Sequence, residues 1–193
     1  MKLEAVDHCA SVIALEKGGK RYGMCCAWAM NADYDRVVCL IGSQSTTGRA
    51  IAKGDVVGFS NLLRSQAAIA AKLGDGHSDS MDKFEGIDID VDGGAITIPG
   101  SRVVMKCQVI DVLSLPGQDG DRLVYMQILD GVKNGGDALR MSDLRERART
   151  RDIYNIPMAI TVAEGLDEDM GVHQGQGLVG RNRQLDVGRN GRR

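Results

Sequence analysis

Short apolar runs, each ended by Gly, Asp or Lys, recur along most of this 193-residue chain. They are rich in β-branched residues or alternate with polar ones, a pattern typical of strands. The predicted strands are Cys9–Leu15, Arg21–Met30, Arg36–Gly42, Val56–Asn61, Ala95–Ile98, Arg102–Val112, Arg122–Leu129 and Ile156–Ala163. Regularly spaced short strands with turns between them favour a mostly β fold, either a small barrel or a sandwich.

Helices are expected to interrupt the strands at three places, residues Thr46–Lys53, Leu62–Leu73 and Ser142–Arg151. The first helix can be capped by Ser45 or Thr46, and glycines follow the first two helices, as is common at helix ends. The order β, β, β, α, β, α, β, β, β is compatible with a Greek-key barrel that carries short helices at its rim. It does not fit repeated βαβ units.

Length and composition predict one folded domain followed by a tail. A chain of this length can bury a substantial core within a single domain. From about Asp167 glycines and polar residues predominate and the hydrophobic periodicity fades, so this part buries too little apolar surface to fold alone. We expect residues 1–166 to form the domain and residues 167–193 a Gly- and Arg-rich polar tail.

Charge and aromatic content argue against one class of partner. The net charge is -2 and aromatic residues make up only 4% of the chain. Nucleic-acid binding normally needs a positive field and aromatic rings on which bases stack. We therefore expect no nucleic-acid partner.

The first residues and the cysteines indicate a location. Residues Met1–Ala10 carry charged side chains and lack the apolar core of a secretory signal, and no apolar run is long enough to span a bilayer. The five cysteines are odd in number and lie mostly in apolar strand-like runs, as reduced, packed thiols do. The expected protein is cytoplasmic and has no membrane partner.

No metal site is expected. The chain lacks the Cys and His spacings of zinc and iron–sulfur sites. Asp88–Gly93 begins like an EF-hand loop, but Pro99 stands where the loop requires a bidentate Glu. Gly175–Gly180 spells a dinucleotide-binding fingerprint, yet no strand precedes it and no helix follows, so it is set aside.

A hydroxyl-rich turn, Ser43-Gln44-Ser45-Thr46-Thr47-Gly48-Arg49, follows the strand Arg36–Gly42. The hydroxyls of Ser43, Ser45, Thr46 and Thr47 and the guanidinium of Arg49 could converge on one phosphate dianion. The alternative is that these hydroxyls only cap the following helix, which is a common role for them.

Two further segments could belong to the same site. Gly23–Trp28 could present main-chain groups along a strand edge, although a run of Met, Cys, Ala and Trp is more often core. The polar turn Gly76–Phe84 carries His77, Ser78 and Lys83, and its alternative reading is a solvated loop.

Taken in order, these segments resemble the flavin reductase-like proteins, the FMN-binding split-barrel family. The resemblance covers roughly residues 8–130 and includes the turn and strand from Pro99 to Val109. In the family the first segment reads like Gly-Met-Thr-Val-Ser-Trp. Here Met24 and Trp28 match, whereas Cys25 and Ala27 stand in place of Thr and Ser and remove two hydroxyl donors.

The resemblance implies a fold and a set of binding residues. The fold would be a mostly β, split Greek-key barrel. The protein would be a homodimer, with FMN as cofactor and NADH or NADPH as co-substrate. Gly23, Met24, Cys25, Cys26, Ala27 and Trp28 would line the flavin ring. Ser43, Thr46, Thr47 and Arg49 would hold the phosphate, and His77, Ser78 and Lys83 would close the site.

The implied activity is electron transfer from NADH or NADPH through FMN to free flavin, ferric iron or a protein acceptor. No catalytic residue is assigned, because hydride moves directly from nicotinamide C4 to flavin N5 while the protein orients the two rings. Two alternatives stay open. One is a flavoredoxin-like carrier without nicotinamide activity, and the other is a non-catalytic barrel that has lost the cofactor.

Overall fold

The structure, a computed structural model, describes residues 6–75, 78, 80–117 and 120–149. Its strands are β1 (Ser11–Lys17), β2 (Lys20–Cys26), β3 (Ala29–Asp33), β4 (Arg36–Gly42), β5 (Val56–Asn61), β6 (Asp90–Asp92), β7 (Ala95–Thr97), β8 (Val103–Ser114) and β9 (Asp121–Lys133). Its α-helices are α1 (Thr46–Ala50), α2 (Ala67–Gly74) and α3 (Met141–Arg149), and a 3-10 turn (Arg64–Gln66) precedes α2.

The strands form one antiparallel sheet in the order β3-β4-β9-β8-β5-β1-β7-β6, with β2 paired to β1. The sheet does not close on itself. The chain nevertheless links β2 to the distant edge strand β3 through only two residues, Ala27 and Trp28. The predicted mostly β fold with a few short helices is confirmed.

Burial in the sheet follows the alternation of the strand side chains. In β4 the buried residues Val37, Cys39 and Ile41 alternate with partly exposed ones, as expected for a strand with one core face. Together with side chains of β5, β8 and β9 they form an inner cluster.

A second cluster lies on the other side of β1, where α2 and α3 pack. It contains Leu62, Leu73, Phe84, Leu139 and Leu144. Residues Ser11–Leu15 of β1 are all buried, since this strand contributes side chains to both clusters. No helix in the described part of the chain has the length and apolarity that a membrane span requires.

Two predicted strands, Arg36–Gly42 and Val56–Asn61, are confirmed at both ends. The prediction of one continuous strand over Arg21–Met30 is wrong, because the chain bends at Ala27 and Trp28 and continues as β3 on a different partner. The predicted strand Ile156–Ala163 lies outside the described residues.

The predicted helices are present but have different bounds. The first ends at Ala50 instead of Lys53, and the second begins as a 3-10 turn at Arg64 and becomes α-helical only at Ala67. The third covers Met141–Arg149 within the described residues. Residues 167–193, the predicted tail, lie outside the described part.

Candidate functional site

One edge of β2 is open. β2 pairs with β1 from Lys20 to Cys26, and among the described residues no strand pairs with its other edge. Each residue of a strand carries a main-chain donor and an acceptor, so this edge offers a row of N–H and C=O groups. The predicted ring-binding residues Gly23, Met24, Cys25 and Cys26 all lie on this strand.

The hydroxyl-rich turn is joined to this strand by Ser45. Its Oγ accepts a hydrogen bond from the N–H of Gly48 at 2.8 Å and donates to the carbonyl of Gly42 at 2.8 Å. The same Oγ lies 3.5 Å from the Met24 sulfur. The structure therefore brings two of the three predicted segments together, and Ser45, one of the predicted hydroxyl donors of the turn, joins them.

Each predicted phosphate-binding residue has a defined place in the turn. Thr46 and Thr47 are buried, at 6% and 2% exposure. The exposed Arg49 folds back over the turn, where its guanidinium donates to the Gln44 carbonyl and, at 3.3 Å, to the Thr46 hydroxyl. The Ser43 hydroxyl donates to the Gly120 carbonyl at 2.5 Å. These contacts fix one positive charge beside the Thr46 hydroxyl.

Side chains of β2 point alternately to two cores. Met24 and Cys26 belong to the inner side, where the Cys26 thiol hydrogen-bonds with Cys39 and this bond, with burial, raises the Cys26 pKa well above its ordinary value. Cys25 belongs to the second cluster, against which Ala27 packs. The two thiols are core side chains, so neither of them is available to a ligand.

Trp28 differs from the rest of the predicted ring-binding stretch. Its side chain is 53% exposed, and its carbonyl accepts a 2.8 Å hydrogen bond from the N–H of Leu40 on β4. The backbone is thus held in place where β2 bends into β3, while the indole remains accessible. Trp28 therefore lies at the end of the open strand edge.

The third predicted segment packs on the second-cluster side of β2. Gly23 lies under the ring of Phe84, and an added Cβ would stand 2.2 Å from the ring Cζ. Lys83, predicted to add charge to the site, is buried and donates from Nζ to the Leu73 carbonyl at the end of α2. Burial lowers its pKa, against the opposing effects of Cys25 and Asp75.

Ser78 is the described member of this segment with an unused polar group. It is 4% exposed, and its hydroxyl has no hydrogen-bond partner in the described structure. A cleft of about 380 Å³ lies beside it, bounded by Lys20, Arg21 and Met81 among others. A buried hydroxyl without a partner is costly unless a ligand or water satisfies it, which fits a bound cofactor here. His77 lies outside the described residues.

Residues 6–148 match the model of the flavin reductase like domain. The chain belongs to the flavin reductase-like family. No curated protein matches this chain.

Solved structures share the fold at low sequence identity. The flavin reductase of the Pseudomonas putida S12 styrene monooxygenase matches with a TM-score of 0.58 at 16% identity, over 69% of this chain and 84% of that one. Flavoredoxin from Methanosarcina acetivorans matches with a TM-score of 0.59 at 12% identity, over 69% and 75%. The NADH:FAD oxidoreductase of Streptomyces globisporus C-1027, in complex with NAD and FAD fragments, matches with a TM-score of 0.55 at 16% identity, over 66% and 76%.

A pH effect on stability arises from the buried thiols. Burial raises the pKa of Cys25 and of Cys107 to about 12. A folded-state pKa above the unfolded one contributes stability that is complete below pH 9 and is lost as the pH rises toward 12. Between pH 9 and pH 12, each of these two thiols should therefore lower the free energy of unfolding by about 1.4 kcal/mol per pH unit.

We expect Cys107→Val to flatten the alkaline loss of stability between pH 9 and pH 11. Urea unfolding in reducing buffer at several pH values measures the effect. Cys9→Val, at a half-buried cysteine, is the matched control and should keep the wild-type slope. An identical slope in Cys107→Val and wild type would contradict the assignment to Cys107.

Proposed function

We propose that this flavin reductase-like oxidoreductase binds FMN and uses NADH or NADPH to reduce it, passing the electrons to free flavin, ferric iron or a protein acceptor. The observation that carries the proposal is the open edge of β2, held against a hydroxyl-rich turn by the Ser45–Met24 contact of 3.5 Å. A flat ring needs main-chain groups along one edge, and its phosphate needs converging donors nearby. The main-chain groups of the β2 edge and the hydroxyl donors of the turn lie next to each other here.

In this proposal the main chain of residues Gly23 to Trp28 binds the pyrimidine edge of the ring. The side chains that replace the family's Thr and Ser, Cys25 and Ala27, supply no hydroxyl, so main-chain groups orient the ring. The exposed Trp28 indole shields it from water at the end of the strand. When bound, FMN supplies the redox chemistry by accepting hydride.

The phosphate would lie at the turn formed by residues Ser43 to Arg49. Thr46 and Thr47 donate hydroxyl hydrogen bonds, and the Arg49 guanidinium, already beside Thr46, contributes positive charge. The buried hydroxyl of Ser78 gains the partner that it lacks. Lys83 acts by tethering the closing segment to α2 through the Leu73 carbonyl, and His77 completes that segment.

Assembly and location are also part of the proposal. Within the described residues, no strand pairs with the outer edges of β3 and β6, the two ends of the strand order. Pairing two copies into a homodimer covers such edges and protects them from unwanted association. We place this homodimer in the cytoplasm, where reduced cysteines such as the buried Cys25 and Cys107 persist.

The double variant Thr46→Ala, Thr47→Ala tests the phosphate site. Loss of two charge-assisted hydrogen bonds should weaken FMN binding by about 1–3 kcal/mol. Titration of the flavin-free protein, followed by flavin fluorescence, measures the affinity. Thr97→Ala, in β7, removes a largely buried hydroxyl elsewhere and should leave affinity unchanged. An unaltered FMN dissociation constant in the double variant would show that the phosphate does not bind at this turn.

The activity itself is tested by oxidation of NADH and NADPH at 340 nm, in the presence and absence of added FMN. Turnover that requires flavin supports the reductase. A protein that binds FMN but oxidises neither nicotinamide would instead be an electron carrier. A protein that takes up no FMN would be a non-catalytic member of the family, for which the Cys25 and Ala27 replacements are the sequence signal.

A further inference from the structure

The segment that contains the hydroxyl-rich turn is held at both ends by residues 120–122, where β9 begins. At one end, the N–H and the hydroxyl of Ser43 both donate to the Gly120 carbonyl, at 2.6 Å and 2.5 Å. At the other end, Arg122 donates from Nη2 to the carbonyl of Ile51 at 3.4 Å. Ile51 is the residue that follows α1. These three residues therefore fix the turn and α1 as one unit.

Arg122 occupies a position in β9 where an apolar residue is expected. The register places it opposite Ile41 of β4, and residues directly opposite each other in a sheet point to the same face. Ile41 belongs to the inner cluster, as do Val124 and Met126, the next two residues of β9 on that face. The guanidinium of Arg122 therefore continues an apolar row and reaches the end of α1.

Packing alone does not account for an arginine here. The Nε of Arg122 is buried and has no hydrogen-bond partner among the described residues, and a buried donor without a partner lowers stability. Methionine, an apolar side chain of similar length, could fill the same space without that cost. What only the arginine supplies is a positive charge and a hydrogen bond at the C-terminal end of α1, where cations are favourable.

A second cation holds the same end of α1. Lys17, the last residue of β1, donates from Nζ to the Ala50 carbonyl at 3.1 Å and pairs with Asp55 at 2.8 Å. The Asp55 carboxylate also accepts a hydrogen bond from the N–H of Ala52 at 2.9 Å. The Lys17 side chain is 45% exposed, and exposed ion pairs contribute little. The better protected of the two attachments is therefore that of Arg122.

α1 is short enough for this attachment to act on the proposed phosphate site. Its five residues measure about 7.5 Å, so a displacement at Ile51 also moves Thr46 and Thr47 at the other end. Over this distance a charge is only partly screened, because the Debye length in physiological salt is about 8 Å. Arg122 therefore acts on an anion at the turn in two ways, by fixing the hydroxyls and by attraction.

We propose that Arg122 is a positioning residue through which the turn selects a phosphorylated flavin over riboflavin. It holds α1 so that the hydroxyls of Thr46 and Thr47 and the guanidinium of Arg49 meet at the phosphate, and it does not contact the flavin itself. This role rests on the proposed function, which places the phosphate at this turn. It adds a residue of β9 to a site built from three other segments.

The preference for FMN over riboflavin tests this role, since the two ligands differ only in the phosphate. Both are titrated into the full-length, flavin-free protein, and quenching of flavin fluorescence gives each dissociation constant. We expect Arg122→Met to lower the preference by about tenfold or more. Its riboflavin affinity should be that of the wild type, and its thermal midpoint should be unchanged or higher. Arg122→Lys, which keeps the charge, should restore part of the preference.

Arg102→Gln is the matched control. Arg102 also donates from its side chain to a main-chain carbonyl, that of Gly136 at 3.2 Å. It directly precedes β8, at the end of the β8–β9 pair that lies opposite to Arg122. This variant loses the same charge and should keep the wild-type preference for FMN.

The possible outcomes separate this role from the proposed function. A wild-type preference for FMN that Arg122→Met retains would overturn the role of Arg122 alone. Equal losses of affinity for both flavins, together with lower stability or failure to fold, would do the same, because a merely structural residue behaves in that way. A wild-type protein that binds FMN no more tightly than riboflavin would instead contradict the phosphate site of the proposed function itself.

Discussion

Gly58→Ala should destabilise the protein by on the order of 3 kcal/mol or more, because the added methyl group has no room. An ideal Cβ on Gly58 would stand 1.9 Å from the carbonyl oxygen of Ile96 and 2.4 Å from its carbon. Both are backbone atoms of β7, which crosses close over β5 at this point. A flexible side chain could move aside, but a strand must shift as a whole.

The surroundings of β7 prevent such a shift. Ile96 and Ile98 are at most 1% exposed, and the N–H of Ile98 donates to the Ser60 hydroxyl at 3.0 Å. Moving β7 away from β5 would therefore open the second cluster and break this hydrogen bond. The free energy of unfolding of a domain is usually only 5–15 kcal/mol. Much of the Gly58→Ala protein should therefore be insoluble, and the soluble part should unfold at moderate urea concentration.

Urea unfolding of Gly58→Ala and of Gly100→Ala checks this expectation. Gly100 has φ +69° and nothing within 4 Å of an added Cβ, so its substitution strains the backbone without a clash and should cost only about 1 kcal/mol. Equal losses in the two variants would show that steric contact with β7 is not the cause.

Gly48→Ala should lower FMN affinity at least tenfold, a loss of about 1.4 kcal/mol or more. Gly48 lies inside α1, where alanine normally stabilises a helix by about 1 kcal/mol relative to glycine. Here an added Cβ would stand 2.2 Å from the Gly42 carbonyl oxygen and 2.7 Å from Ser45 Oγ. The methyl group would displace the residue that joins the turn to Met24, and with it the proposed phosphate site.

Titration with FMN, together with thermal unfolding, separates binding from stability. Gly54→Ala is the control, because Gly54 has φ +90° and open space around it and lies after the turn. This control should lose stability and keep its flavin affinity. A Gly48→Ala protein that binds FMN like the wild type would show that the geometry of the turn is not needed.

The local sequence pattern was sufficient to predict much of the fold. β4 was predicted with its bounds because Val37, Cys39 and Ile41 alternate with partly exposed residues, a periodicity that burial on one face imposes. The bend at Ala27 and Trp28 was missed, because both halves of the run are strand-like and only the pairing of β2 with β1 and β3 with β4 separates them.

The candidate site divides in the same way. Residue types alone left helix capping and core packing open as alternatives, and the family resemblance implied that Ser43–Arg49 and Gly23–Trp28 belong to one site, with the hydroxyls of Thr46 and Thr47 as ligands. Ser45 was predicted as a hydroxyl donor of the turn, but its contact with Met24 was not visible, because it joins residues 21 positions apart. Lys83 was assigned to the site by its charge, but burial beside α2 directs its Nζ to the Leu73 carbonyl.

The sequence by itself determined the mostly β architecture, the positions of most strands and the family, since these depend on periodicity and on short motifs of neighbouring residues. The tertiary structure alone decided which edge of β2 stays open, which thiols are buried, and why Gly58 and Gly48 must be glycines. Each of these depends on the distance between atoms far apart in the chain, and such distances are set by packing, which no local pattern encodes.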